Sequence, residues 1–212
     1  MRDEVTTRPE AEKHFAISLF VYIMLTQLAY LFPPGLRNDY LFSHTVVFIS
    51  LLCGIMYLAY CYAPLHCNNI KKLNIIGYCF AGVVLCLIVN YPYNILNHLH
   101  SKPQIFQYFV SYNILGKVYL VFLLSIVGPL LEEIYYRGYL YNIVKKRFGV
   151  LGGVILSAFL YMFMHNFSVD ILYLFLPGVI YAVVYEKTKT IWASTIVHGL
   201  NNGLWFYLVY YA

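Results

Sequence analysis

The stretch ILGKVYLVFLLSIVGPLLEEIYYRGYLYNIV, residues 114–144, decides the fold. Its first half is almost wholly apolar, and a helix of roughly 20 apolar residues is what crosses the hydrocarbon of a bilayer. Its second half carries Glu132, Glu133 and Arg137 among apolar and aromatic residues, and the basic group Lys145-Lys146-Arg147 follows. In a soluble protein such a run would be a core helix. Here the rest of the chain argues for lipid.

Of the 212 residues, 61% are hydrophobic and 11% charged, against about 25% charged in ordinary soluble domains. Six further apolar runs flank the first: Phe15–Phe32, Leu41–Ala63, Leu73–Tyr91, Val150–Asn166, Ile171–Tyr185 and Ile191–Tyr211. The sixth in chain order is short and holds Pro177-Gly178. Unpaired backbone groups in hydrocarbon each cost several kcal/mol, so the runs must be helices. The expected fold class is all-α: a polytopic transmembrane helix bundle of about seven spans.

Charge in the connecting segments sets the orientation. Arg2, Arg8, Lys13, Lys71, Lys72, Lys145, Lys146, Arg147, Lys187 and Lys189 fall on one side; Arg37 and Lys102 fall on the other. The positive-inside rule then predicts a cytoplasmic N-terminus and an outward C-terminus. The first run is too long for a signal-peptide core and lacks a small-residue cleavage site, so it reads as an anchor. Pro92–Asn113 is polar and aromatic, with room for an interfacial or re-entrant helix. The net charge of +5 reflects these loops rather than a nucleic-acid face. Cys53, Cys61, Cys67, Cys79 and Cys86 show no framework spacing and read as structural thiols. Some of the 23 tyrosines belong to interfacial belts. Others, such as Tyr135, Tyr136 and Tyr161, fall inside runs, where a hydroxyl needs a partner.

Ionisable residues within spans are functional candidates because their burial must be offset. Glu133 and Arg137 stand i,i+4 and can pair on one helix face; Glu132 points about 100° away and is left outside that pair. The opposing reading places both glutamates among lipid headgroups. His165, four residues after Tyr161, is by itself better explained as a hydrogen-bonded core residue. His198 and Asn202, again i,i+4, fit either a cavity wall or interhelical glue. At about 1.5 Å per residue, Glu132, His165 and His198 reach similar depths from their basic ends. A carboxylate, two imidazoles and an amide at one level have the composition of a hydrolytic site. No Ser or Cys stands beside a base.

The pattern EExxxR at Glu132–Arg137, the aromatic-xxx-His at Tyr161–His165 and the HxxxN at His198–Asn202 resemble the CPBP (Abi) family. That is the family of the Ras-converting CAAX endopeptidase and of bacterial bacteriocin-processing and self-immunity membrane proteins. The run from Tyr185-Glu186-Lys187-Thr188 through Trp192 to Asn202 is similar to the family's approach to its last motif. The resemblance covers Ile114 to about Tyr210 and divides the chain into a three-span region, 1–112, and a four-span core, 113–212. Tyr161 departs from it, since the family usually has Phe there.

The resemblance implies an intramembrane endopeptidase acting on a peptide near the cytoplasmic membrane face, in a bacterial cytoplasmic membrane. Glu132 with His165 would hold and deprotonate water, and His198 and Asn202 would bind the oxyanion. Glu133 with Arg137 would brace the site, and Tyr161 would support it. Glu132, His165 and His198 are also a possible zinc set. However, HxxxN is no zinc signature and no HExxH is present, so a metal-independent mechanism is expected. Two other classes stay open: a non-catalytic immunity protein or membrane scaffold, and a small transporter using these residues as a proton relay.

Overall fold

Gly149 adopts φ 73° and ψ −176°, a conformation that glycine reaches without steric cost. It breaks one long helical run, Ile114–Phe163, into two arms. The break falls where the sequence separates its fourth and fifth apolar runs, just after Lys145-Lys146-Arg147. The computed structural model describes residues 39–61, 72–98, 109–165 and 171–211, with a few isolated positions before them. The first apolar run, the cysteines at 61 and 67 in part, and Lys102 lie wholly or largely outside the residues whose surroundings are described.

Among the described residues every regular element is a helix. They are α1 (Tyr40–Cys61), α2 (Lys72–His98), α3 (Ile114–Phe122), α4 (Gly128–Glu133), α5 (Asn142–Phe163), α6 (Ile171–Thr188) and α7 (Ile191–Tyr211). Two π-helical stretches, Leu123–Val127 and Ile134–Tyr141, join α3 to α4 and α4 to α5. The helix α2 runs through Pro92 to His98, so the first part of the segment after Tyr91 extends a span rather than starting a separate interfacial piece. Residues 1–64 and 65–212 form two compact units. In the second, α5 packs on α6, while α7 packs on α2, α6, α4 and the first π stretch.

The distribution of side chains is the reverse of a soluble protein's. Large apolar groups such as Ile76, Phe80 and Ile88 on α2, Leu115 on α3, Leu151 on α5 and Trp192 on α7 face outward. Glu133, Arg137, Ser157, Ser194 and His198 are buried. Exposed apolar surface on this scale costs about 25 cal/mol per Å² in water and nothing in lipid. The helical run Ile114–Phe163 is also long and apolar enough to cross a membrane, reaching a mean hydropathy of 2.2. The chain is an integral membrane protein.

Proline sets the first π stretch. Pro129 has no N–H to give to the preceding turn, and the Gly128 N–H reaches back to the Leu123 carbonyl instead. The Leu124 carbonyl then accepts from the Asn202 side-chain amide at 3.0 Å. One helix thereby satisfies the backbone of another. Close approach is possible because α7 presents Gly199 here: a Cβ on that residue would collide with the Ser125 carbonyl oxygen.

At the other end of α5 and α6, Lys145 Nζ donates to both Glu186 oxygens at 2.7 and 2.8 Å. The Tyr141 hydroxyl donates to Glu186 at 2.6 Å, and Lys189 also pairs with it. Burial opposes ionisation of Glu186, but these donors outweigh it and hold its carboxyl at about 2. A carboxyl so depressed adds stability above the ordinary carboxylate range and loses it as pH falls toward 2. Glu186→Gln is expected to lower stability at neutral pH by about 1 kcal/mol after screening by solvent. The difference from the parent should vanish near pH 2 when unfolding in detergent is followed by circular dichroism.

Candidate active site

Glu133 is the centre of the buried polar cluster. It is fully buried, and Arg137 Nη1 lies 3.1 Å from its Oε1. Arg137, one turn on, is also fully buried and donates through Nη2 to the Gly178 carbonyl of α6 at 2.7 Å. The guanidinium lies among three tyrosine rings, 5.1 Å from Tyr161, 5.5 Å from Tyr181 and 5.8 Å from Tyr136. Their π faces stabilise a cation removed from water. The i,i+4 pair expected from the sequence is present, and it lies in the protein interior rather than among headgroups.

The same Glu133 Oε1 lies 3.1 Å from His198 Nδ1 of α7. An ionised carboxylate only accepts, so Nδ1 carries the hydrogen and donates. The other ring nitrogen, Nε2, is 3.1 Å from the Tyr161 hydroxyl and 3.8 Å from Glu132 Oε2. Tyr181 stacks on the imidazole with centroids 4.4 Å apart and planes 18° from parallel. Asn201 donates to the Tyr181 hydroxyl at 2.9 Å and accepts from Asn90 of α2 at 2.8 Å.

His165 sits in the turn that ends α5, its backbone N–H donating to Met162. Its Nδ1 is 2.7 Å from the Tyr161 carbonyl oxygen. A carbonyl can only accept, so here too Nδ1 carries the hydrogen. Its Nε2 faces Glu132 Oε2 at 3.5 Å. The Glu132 side chain is 12% exposed and that of His165 28%, while Glu133 and Arg137 are sealed. The bracing pair is dry, and the Glu132–His165 edge is reachable.

The structure thus brings Glu132, Glu133, Arg137, Tyr161, His165 and His198 together. Asn202 is placed differently: its amide donates to the Leu124 backbone. Asn90, Tyr181, Asn201 and the Gly178 carbonyl belong to the cluster and carry no motif; only the costliness of Asn90 and Asn201 inside apolar runs hinted at them. Glu132, His165 and His198 do not fit a zinc set. The His198 nitrogen nearest Glu132 is engaged by the Tyr161 hydroxyl. Among the described residues no three His, Cys, Asp or Glu side chains are disposed to hold a metal ion.

Residues 113–204 match the family described as type II CAAX prenyl endopeptidase Rce1-like. All three motifs fall within that stretch. This stretch, less than half of the chain, is similar to that family of membrane proteases. The membrane-embedded CAAX protease MroQ of Staphylococcus aureus (strain USA300) is similar, with 34% identity over 89 residues. The match covers 39% of this chain and 36% of that relative, so just over a third of the relative's length is represented. No solved structure matches the chain. Except for Asn202, the residues that carry the motifs are ones that converge in space, and α2, outside the matched stretch, supplies Asn90 to their support.

Removing one partner of a buried ion pair leaves the other charged and unpaired, at about 3–5 kcal/mol. Arg137→Leu is therefore expected to lower the unfolding midpoint sharply in detergent. Glu133→Gln should do the same and also loosen His198.

Proposed function

We propose that this chain is an intramembrane endopeptidase in which Glu132 activates water for attack on a peptide bond. One observation carries the reading: Glu132 Oε2 is buried, faces His165 Nε2 and His198 Nε2 at 3.5 and 3.8 Å, and makes no hydrogen bond to any described residue. Glu132 Oε2 and, in the neutral ring, His165 Nε2 are both acceptors, because the one hydrogen of neutral His165 goes to the Tyr161 carbonyl. Two acceptors at that spacing suit a water that gives one O–H to each, which leaves its lone pairs for the carbonyl carbon.

Glu132 takes the proton as the water attacks and returns it to the leaving amine, the ordinary duty of a general base turned acid. The developing oxyanion is met on the His198 side of the site, with Asn202 next along α7. Glu133 and Arg137 hold that side in place. The word protease in the relative's name supports the reading as a peptide-cleaving enzyme and says nothing of these residue roles.

The setting follows from the sequence pattern: about seven spans, the N-terminus in the cytoplasm and the C-terminus outside, in a bacterial cytoplasmic membrane. The substrate is a peptide or protein segment reaching the site from the cytoplasmic face.

The test uses the full chain in detergent micelles with a quenched-fluorescent peptide library. Glu132→Gln is expected to lose at least about 100-fold in cleavage while unfolding at the parent temperature. His165→Ala and His198→Ala should lose comparable activity, and EDTA should leave the parent unaffected. Parent-level cleavage by Glu132→Gln would refute the mechanism and leave the non-catalytic immunity or scaffold role as the better reading.

A further inference from the structure

Two amide side chains, Asn90 on α2 and Asn201 on α7, stand within apolar runs and hold none of the motif positions. An amide left unpaired in such surroundings is costly, and these two satisfy one another. The Asn90 amide donates to Asn201 Oδ1 at 2.8 Å, and the Asn201 amide donates to the Tyr181 hydroxyl at 2.9 Å. Tyr181, from α6, is fully buried. Its ring lies on the His198 imidazole, with centroids 4.4 Å apart and planes 18° from parallel. A chain of contacts thus runs from α2 to the imidazole that faces Glu132.

Its direction is set at the far end. An amide side chain presents an oxygen on one side and an NH2 on the other, in nearly the same shape either way round. Asn201 turns its NH2 to Tyr181 because Asn90 takes up its oxygen. Tyr181 is then pinned at both ends, its backbone in α6 and its hydroxyl on α7, one turn from His198. Glu133 and the Tyr161 hydroxyl meet the ring nitrogens of His198 and set where they point. The terminal torsion of a histidine is soft, so the plane of the ring needs a face to lie against, and Tyr181 supplies it. The helices α2 and α7 run in the same direction: Cys79 meets the Ala193 carbonyl and, further along both, Asn90 meets Asn201.

We infer that Asn90 is a positioning residue for His198. By orienting the Asn201 amide it anchors the Tyr181 ring, and that ring fixes the plane of the imidazole beside Glu132. The stretch 113–204 that carries the motifs is therefore incomplete as a site without α2. Asn90, Asn201 and Tyr181 touch no reacting atom. Their contribution is geometric, since a group already held in its productive orientation needs no further ordering as the reaction proceeds.

The inference rests on the peptidase reading, and the experiment separates the two. The parent, Asn90→Leu, the double variant Asn90→Leu/Asn201→Leu and Glu132→Gln are assayed as full chains in detergent with the same quenched-fluorescent peptide library, and their unfolding midpoints are measured. NMR of histidine-labelled protein follows the ring protons of His198, whose shifts carry the ring current of the stacked Tyr181. Asn90→Leu is expected to lose about 10- to 100-fold in kcat with KM changed less than about 3-fold. Its His198 ring signals should move downfield while those of His165 hold. The double variant leaves neither amide unpaired, so its midpoint should return toward the parent's. Its kcat should stay low, which a packing role would not give. That variant also covers the case in which Asn90→Leu fails to fold.

Parental kcat in Asn90→Leu, His198 signals that stay in place, or kcat recovered together with stability in the double variant each overturns this inference. With Glu132→Gln inactive, the peptidase reading then still stands. A parent that cleaves nothing in the library, or an active Glu132→Gln, overturns both.

Discussion

One carboxylate oxygen, Glu133 Oε1, receives both the guanidinium of Arg137 and the imidazole of His198, each at 3.1 Å. Placing such a group in a dry interior costs several kcal/mol per ion before any attraction is counted. The offset comes from a charge-assisted pair along the helix, the Gly178 carbonyl behind the guanidinium, and three aromatic faces around it. As a stability device this arrangement is poor, since well-packed apolar residues would serve as well. What it supplies is definition. It fixes a hydrogen on the His198 nitrogen that faces Glu133, and so the orientation of the ring.

Backbone accounting explains much of the remaining geometry. Pro129 removes a donor from the helix that carries the glutamates, and the turn before it widens. The Asn202 amide then reaches across from α7 to the Leu124 carbonyl, while Gly199 lets the two helices come close enough for that bond to form. A second widened stretch, Ile134–Tyr141, follows the glutamates, and the Asn142 side chain donates to the Arg137 and Gly138 carbonyls at its end. π-helical turns of this kind occur often at functional sites, because they turn side chains away from the regular helical register. Here both flank the pair of adjacent carboxylates.

The two glutamates share an identity and differ in environment. Glu133 is sealed and held through Oε1 by Arg137 and His198, which makes it structural. Glu132, its neighbour in sequence, faces the other way toward two imidazole edges and a reachable surface. Nothing in residue type separates them; helical geometry does, since adjacent residues on a helix point in different directions.

Much of this was legible along the chain. Low charge content and long apolar runs imply a helical membrane protein. The break at Gly149 falls where one apolar run gives way to the next, and the i,i+4 spacing of Glu133 and Arg137 leads directly to their pair. The motifs marked the residues that converge, because ionisable groups in apolar runs are too costly to keep without use or partner. Tyr181, Asn90, Asn201 and the Gly178 carbonyl carried no such mark, since a tyrosine, an amide or a backbone carbonyl in a helix is commonplace until its neighbour is known. The HxxxN spacing likewise places Asn202 on the face of His198 without saying that its amide serves a carbonyl bared by Pro129. Local sequence thus determined which helices form and which faces carry polar groups, for these depend on side-chain periodicity and transfer cost. The hydrogen on each imidazole was decided only when helices distant in the chain brought a carbonyl, a carboxylate and a phenol against particular ring nitrogens, because a tautomer is set by its partners.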